Sequence, residues 1–333
     1  MIDYKMYFAF WIFIMSLCIG SFLNVVILRG LSGESIVFPP SKCPKCGNKL
    51  QWWMNIPVLS YILLRGKCHC CKEKISVQYP IIELFTGILF LLIYLKFSLS
   101  ITTLFFIIAS ALLIVMSVCD IKENVILDFH SYILVFFGIL YHIVSKTHPD
   151  FLSAILFPVI GAVVGFLLYE IIARSGYIFA GQRAFGEGDS LIAAGIGAFF
   201  GWKFVIISFF ISVLVMSLFT FPYFLIFSYK NGKKRTVYGL IVSICAIIAS
   251  FASVKLNLTD NIYFALVFLA IIGTATIWAV KQILSDMKKK DETGEENLCV
   301  LPFGPSMAIS FLIIMFYSNE IETVVKTYIS QFV

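Results

Sequence analysis

The chain has 333 residues, of which 60% are hydrophobic and only 13% are charged, whereas roughly a quarter of an ordinary soluble domain is charged. This composition excludes an ordinary water-soluble protein and predicts an all-α protein that crosses a membrane several times. The net charge of +6 is concentrated in loops beside the predicted spans, where membrane lipid with anionic headgroups is a sufficient partner. We therefore expect no nucleic-acid partner.

About ten apolar segments approach or reach the roughly 20 residues that a helix needs to cross a bilayer. The segments are residues 7–28, 81–95, 101–119, 129–145, 151–173, 190–200, 204–228, 237–254, 262–280 and 303–317. The first lacks a plausible signal-peptidase site, so we expect a retained helix. The sixth is too short to cross alone, and its Gly195, Gly197 and Gly201 allow helix backbones to approach closely. We expect it to be a half-length helix inside the bundle.

The distribution of basic residues predicts the orientation, because cytoplasmic loops retain positive charge during insertion. An N-terminus outside the cell places most of the 25 Lys and Arg residues in cytoplasmic loops. The predicted organisation has five parts. These are a first transmembrane helix (1–28), a cytoplasmic cysteine loop (29–80), a membrane core (81–235), an extra transmembrane pair with a charged loop (236–300), and a last span with its tail (301–333).

Two C-x2-C pairs lie in the cysteine loop. The cysteines are Cys43, Cys46, Cys68 and Cys71. Two such pairs can complete the tetrahedral sulfur site that Zn²⁺ favours, with Gly47 and Gly66 suited to the turns, and four sulfur ligands predict a structural zinc ion. Disulfides are the alternative, but lasting disulfides are rare on the reducing side of the membrane. Cys70 and His69 are weaker rival ligands.

Two acidic residues lie at predicted cytoplasmic helix ends. Asp120 follows the third span, and Asp189 ends the sequence Gly-Glu-Gly-Asp before the sixth. Both carboxylates are expected at one membrane level, where a pair sharing a proton can activate a water molecule for attack on an amide. The alternative for Asp189 is a simple helix N-cap.

Three further acidic residues have weaker functional signals. Asp128 is a candidate cap for the fourth span. Glu83 and Glu170 lie near the inner ends of predicted helices, where an acidic group is a functional candidate. Structural hydrogen bonding or extension of the side chain towards the interface is the favoured alternative for both.

Several short motifs together resemble the bacterial type IV prepilin peptidase family, across most of residues 18–235 and again near residue 301. The matching residues are Gly20 to Val26 with Arg29, Pro39-Pro40-Ser41, Asn55-Ile56-Pro57 with Ser60, Leu64-Arg65-Gly66, Ile75-Ser76, Tyr79-Pro80 and Glu83-Leu84. The resemblance implies that Asp120 and Asp189 are the catalytic aspartates of a GxGD protease. It also implies cleavage of a basic leader from type IV prepilins or pseudopilins.

The resemblance implies a possible second activity, methylation of the new N-terminus with S-adenosylmethionine. The chain has no Gly-rich nucleotide-binding fingerprint of the soluble kind, and the residues that would bind this cofactor stay unknown. Two features depart from the family pattern. Leu127 stands where Pro is common, and about 65 residues with two extra spans precede the Pro-Phe-Gly-Pro motif at residues 302–305.

Two other functions stay open. An intramembrane GxGD protease with other substrates would use the same aspartates, although the cysteine loop argues against it. A proton-coupled transporter could use the acidic residues as ion sites, but transporters often contain inverted repeats and paired broken helices. The sequence shows one short, glycine-interrupted segment and no convincing repeat.

Overall fold

The computed structural model describes residues 4–38, 40–43, 45–146, 148–180, 183, 185–230 and 302–330. In these residues every regular element is helical, as predicted. The α-helices are α1 (Tyr4–Ser32), α2 (Leu59–Leu63), α3 (Gln78–Phe97), α4 (Ile101–Glu123), α5 (Asp128–Ser145), α6 (Phe151–Ala180), α7 (Glu187–Phe200), α8 (Trp202–Lys230) and α9 (Gly304–Ile329), with a 3-10 turn at Trp52–Asn55. We label the helices of the described residues only.

Seven of the described helices are long and apolar enough to cross a membrane, namely α1, α3, α4, α5, α6, α8 and α9. Each corresponds to one predicted span. The predicted spans at residues 237–254 and 262–280 lie outside the described residues. Helix α7 has 14 residues, of which ten are buried, so the expected half-length internal helix is confirmed.

The chain divides into two compact units, Met1–Val215 with Pro302–Val333, and Met216–Leu301. The first unit contains the aspartates, the cysteine loop and all of α7. In the second unit the structure describes residues 216–230, which are helical.

Glycines determine how α6 and α7 pack. A Cβ atom at Gly161 would overlap the carbonyl group of Gly197, and a Cβ atom at Gly197 would overlap that of Gly161. A Cβ atom at Gly165 would also overlap the backbone carbonyl of Ala193. In lipid, helices associate through such close packing because hydrocarbon tails are as apolar as the side chains. Close backbone packing at these glycines therefore holds the short α7 against α6.

The first family-like motif lies where α1 crosses α3. A Cβ atom at Gly20 would come within 2.8 Å of the Cα atom of Glu83, so glycine allows the crossing. Asn24 is 1% exposed, and its Nδ2 donates to the carbonyl oxygen of Tyr79 at 3.2 Å. These contacts assign a packing role to the motif.

Local signals define both ends of α4. Ser100 caps its start by accepting a hydrogen bond from the Thr103 N–H group at 3.2 Å. Asn124 ends the helix in the left-handed conformation, with φ of 51°, which Asn tolerates better than most residues. Asp120 therefore lies in the last turn. The suggested cap role of Asp128 is wrong, because Leu127 occupies the N-cap position without a side-chain cap and Asp128 begins α5.

Candidate active site

Asp120 is held by the backbone of a distant segment. Its side chain lies in the last turn of α4 and the residue is 6% exposed. The Gly304 N–H group donates to its Oδ2 atom at 2.7 Å. A Cβ atom at Gly304 would come within 2.8 Å of the same oxygen, so a larger residue would displace the carboxylate or the start of α9.

Asp189 is the third residue of α7 and is 4% exposed. Gly186 occupies the N-cap position, so Asp189 is not the N-cap residue. Its carboxylate still stabilises the helix start, because the Gly186 N–H group donates to Oδ2 at 3.0 Å. The other oxygen, Oδ1, is buried and has no hydrogen-bond partner within the described residues. One carboxylate oxygen therefore has a structural contact and the other is uncommitted.

The two carboxylates are electrostatic neighbours. Burial, and to a lesser extent the negative charge of Asp120, together raise the pKa of Asp189 to about 7. The ends of α4 and α7 are also close, because a Cβ atom at Gly188 would meet Ile126, in the segment between α4 and α5. We call Asp120 and Asp189 the aspartate pair.

Aromatic side chains pack together next to Gly304, the residue that bonds to Asp120. Phe303 packs against Phe185, with ring centroids 4.6 Å apart, and Tyr169 of α6 lies beside both rings. The sequence identified the Pro-Phe-Gly-Pro motif but not its contact with Asp120. Sequence separation concealed that contact, because Gly304 and Asp120 are 184 positions apart.

Glu83 has a structural partner, as the favoured alternative predicted. Its Oε2 atom accepts a hydrogen bond from the Val58 N–H group at 2.7 Å. Val58 has a positive φ of 60°, which is costly for a β-branched residue. The hydrogen bond from Val58 to Glu83 thus stabilises the unfavourable backbone conformation at the start of α2. Glu170 is also engaged in ion pairs with two arginines.

The four predicted metal ligands converge. Their sulfur atoms all lie within 4.8 Å of one another, and those of Cys43 and Cys71 are 3.9 Å apart. Four sulfurs around zinc at about 2.3 Å would be separated by about 3.8 Å, so the arrangement fits this ion after a small contraction. Cys70 is exposed and outside the group, and His69 packs edge-on against Trp53.

Two similar turns present these sulfurs. In the first, Gly47 donates its N–H group to the Cys43 carbonyl at 2.9 Å, and in the second Lys72 donates to the Cys68 carbonyl at 3.1 Å. Gly47 has a φ of 70°, and Lys72 has a φ of 60°. The prediction for both glycines is confirmed, because Gly66, just before Cys68, also has a positive φ of 66°. In the second turn itself, Lys72 occupies the position that Gly47 has in the first.

The second turn also favours a thiolate. Backbone N–H groups of Cys71 and Cys70 are the largest influences that lower the pKa of Cys68 to about 7. Metal ligation by cysteine requires the thiolate form. The pKa values of Cys46 and Cys71 are raised instead, because burial and hydrogen bonds with neighbouring thiols outweigh the backbone groups of Asn48 and Glu73 that lower them. Cys68 is therefore the most readily ionised of these three ligands.

Comparisons with known proteins identify the chain's relatives. The model of the bacterial peptidase A24 N-terminal domain matches residues 14–97, and that of the type IV leader peptidase family matches residues 106–221. A prepilin leader peptidase/N-methyltransferase of Neisseria gonorrhoeae is 33% identical over 61% of this chain and 77% of its own length. The Klebsiella pneumoniae protein of the same name is 32% identical, over 60% and 89%. The chain belongs to the type IV leader peptidase family.

Coverage of the relatives varies. The prepilin leader peptidase/N-methyltransferase of Myxococcus xanthus (strain DK1622) is 35% identical over 59% of this chain, but the alignment spans only 57% of that protein. No solved structure matches the chain. The two family matches contain the aspartate pair and the four cysteines, whereas Gly304 lies beyond both.

Proposed function

We propose that this protein is an aspartic endopeptidase that removes the leader from type IV prepilins or pseudopilins. Its relatives are named prepilin leader peptidases, which supports this substrate class. The observation that carries the proposal is that the aspartate pair consists of two buried carboxylates, from separate helices, that interact electrostatically. Such a pair can hold and activate one water molecule without a metal or a covalent intermediate.

The surroundings of the two carboxylates favour different roles. A backbone N–H bond stabilises a charged carboxylate, and Asp120 accepts the shorter one, 2.7 Å from Gly304 against 3.0 Å from Gly186 to Asp189. Asp189 has its raised pKa and the uncommitted Oδ1 atom, which favour a protonated carboxyl group. Because the two sites interact, their titration steps belong to the pair.

The proposed reaction uses these two states in one step. Asp120 takes a proton from the water while the resulting hydroxide bonds to the scissile carbonyl carbon, and Asp189 donates its proton to the carbonyl oxygen. Collapse of the tetrahedral intermediate breaks the C–N bond. The proton on Asp120 passes to the departing amine, and the oxygen-bound proton returns to Asp189, which restores the pair.

This assignment predicts a pH dependence. A pKa raised to about 7 keeps Asp189 protonated in mildly acidic solution and in about half of the molecules at neutral pH, and the proton is lost as the pH rises through that value. We therefore expect kcat/KM for leader cleavage to fall towards alkaline pH, with its midpoint near 7. Rates measured from about pH 5 to pH 9 check this prediction. Activity that increased steadily across this range would contradict the role of Asp189 as the acid.

The proposed location is the cytoplasmic face of the bacterial inner membrane, with the N-terminus outside. The charge distribution supports this orientation, since it keeps most Lys and Arg residues in cytoplasmic loops. Asp120 ends α4 and Asp189 begins α7, so both belong at the inner boundary in this orientation. The cysteine loop would lie on the same side, where reduced thiols persist.

A zinc ion and a methyl donor are the proposed cofactors. The four cysteines would bind Zn²⁺, which would fix the fold of the loop because four sulfur ligands leave no position for a reactant. Methylation of the new N-terminus with S-adenosylmethionine is proposed because the relatives are named as N-methyltransferases as well as leader peptidases. We assign no residue to that donor.

Co-expression with a candidate prepilin tests the proposed function, with mass measurement of the pilin N-terminus as the readout. A loss equal to the leader mass is expected, and a further mass increase of one methyl group would demonstrate transfer. An unprocessed prepilin, together with cleavage of an unrelated transmembrane helix, would favour the intramembrane protease alternative. Ion flux into proteoliposomes that depends on Asp189, without cleavage, would favour a transporter.

A further inference from the structure

Glu170 of α6 is the centre of a polar cluster beside the first turn of α7. Its side chain is only 13% exposed. Arg183 donates from Nη2 to Oε2 at 2.7 Å and from Nη1 to Oε1 at 3.3 Å. Arg174 donates from Nε to Oε1 at 2.7 Å, and Ser190 from Oγ to Oε2 at 3.3 Å. Both carboxylate oxygens of Glu170 therefore have partners.

Two of the partners of Glu170, Arg183 and Ser190, belong to segments that adjoin Asp189. Arg183 also donates from Nε to the carbonyl oxygen of Phe185 at 3.3 Å, next to the Gly186 N-cap. Ser190 is fully buried and adjoins Asp189 in the sequence. The cluster thus connects α6 to the chain entering α7 and to the first turn of α7 itself.

We propose that Glu170 and Arg183 are positioning residues whose ion pair holds the Gly186 turn, so that the Asp189 carboxylate faces Asp120. This inference rests on the proposed catalytic function of the aspartate pair. A two-point arginine–carboxylate contact fixes orientation as well as distance. Its partial burial distinguishes it from exposed ion pairs, which contribute little. Neither residue is proposed to contact the reacting atoms.

The charges of the same cluster also influence the pKa of Asp189. The positive charge of Arg183 lowers the pKa of Asp189, against the effects of burial and of Asp120. Tyr169 of α6 is a further electrostatic neighbour of Asp189. Glu170 and Glu187 both pair with Arg183 and partly neutralise it. Removing one member of the Glu170–Arg183 pair should therefore shift the pH profile in a direction that depends on the charge removed.

The test compares Glu170→Gln and Arg183→Gln in the full-length protein with a prepilin substrate. We expect kcat to fall on the order of 10-fold to 100-fold, because small displacements of reacting groups are costly, while KM changes less than about 3-fold. Arg183→Gln should move the alkaline limb of the pH–rate profile, where kcat/KM falls, to higher pH. Glu170→Gln should move this limb to lower pH. The double variant should return the limb towards its wild-type position while kcat stays low.

Arg174→Gln is the matched control. Arg174 also bonds to Glu170, but its side chain is 72% exposed, so its replacement should change kcat less than about 3-fold. If Glu170→Gln does not fold, Arg183→Lys keeps the charge and loses the two-point contact. It should lower kcat without moving the pH limb.

Two results would overturn this inference. One is the same behaviour for Glu170→Gln, Arg183→Gln and the Arg174→Gln control. The other is a limb that shifts in the same direction in both single variants. If Asp189→Asn is inactive in the same assay, such a result removes only the positioning role. If Asp189→Asn stays active, the proposed function itself fails.

Discussion

Replacement of Asp120 or Asp189 with Asn is expected to abolish leader cleavage, with kcat/KM lowered on the order of 1,000-fold or more. Asn is nearly isosteric with Asp but can neither accept a proton from water as a base nor donate one as a carboxylic acid. Each variant keeps a side-chain oxygen for the Gly304 or Gly186 N–H group. The fold should therefore persist while the chemistry is lost.

Single-turnover cleavage of a prepilin by purified variants, in detergent or vesicles, measures this effect. Asp128→Asn is the matched control, because Asp128 has the same side chain but begins α5 without capping it. It should retain activity within about 3-fold of the wild type, as expected for a surface substitution away from the reaction. Cleavage by either Asp120→Asn or Asp189→Asn at a rate similar to that of the control would refute the proposed mechanism.

Replacement of Cys43 or Cys68 with Ser is expected to abolish binding of the proposed zinc ion and to unfold the cysteine loop locally. Both residues are buried, and the loop between α1 and α3 has little other regular structure to keep it folded. Binding of a structural zinc ion contributes about 10–16 kcal/mol in small zinc-dependent domains. Its loss should therefore exceed the stability of a segment this small.

Metal analysis should find about one zinc ion per chain in the wild type and a small fraction of that in either variant. Limited proteolysis should then cut between residues 33 and 77, outside the membrane helices. Cys70→Ser is the matched control, because Cys70 is exposed and its sulfur is outside the cluster. Equal zinc loss in this control, or a metal-free wild type, would contradict the predicted ligand set.

The sequence alone was sufficient for the features that depend on local rules. Apolar length predicted every membrane-crossing helix that the described residues contain, because lipid requires helices whose backbone groups are satisfied internally. The C-x2-C spacing predicted which four cysteines converge, since each pair is formed within a single tight turn. The short α7 followed from its length and its glycines. These signals extend over fewer than about 25 residues.

The sequence also predicted that Asp120 and Asp189 lie at one membrane level, because hydropathy and basic residues indicate depth. Depth alone does not determine which helices are neighbours. The close packing of α6 on α7 depends on backbone contacts at Gly161 and Gly197, and the sequence does not show which glycines face each other. The tertiary structure was needed to place Gly304 at Asp120.

The roles of Glu170 and Arg183 illustrate the same limit. The sequence left Glu170 with a functional and a structural alternative, and it contained no spacing signal to connect it with Arg183, 13 positions away. The two residues meet because α7 packs against α6, which brings the residues just before α7 next to Glu170. Local patterns therefore predicted the helices and the four cysteines that converge. The hydrogen-bond partners of each carboxylate were decided by how several helices pack together, which local patterns do not determine.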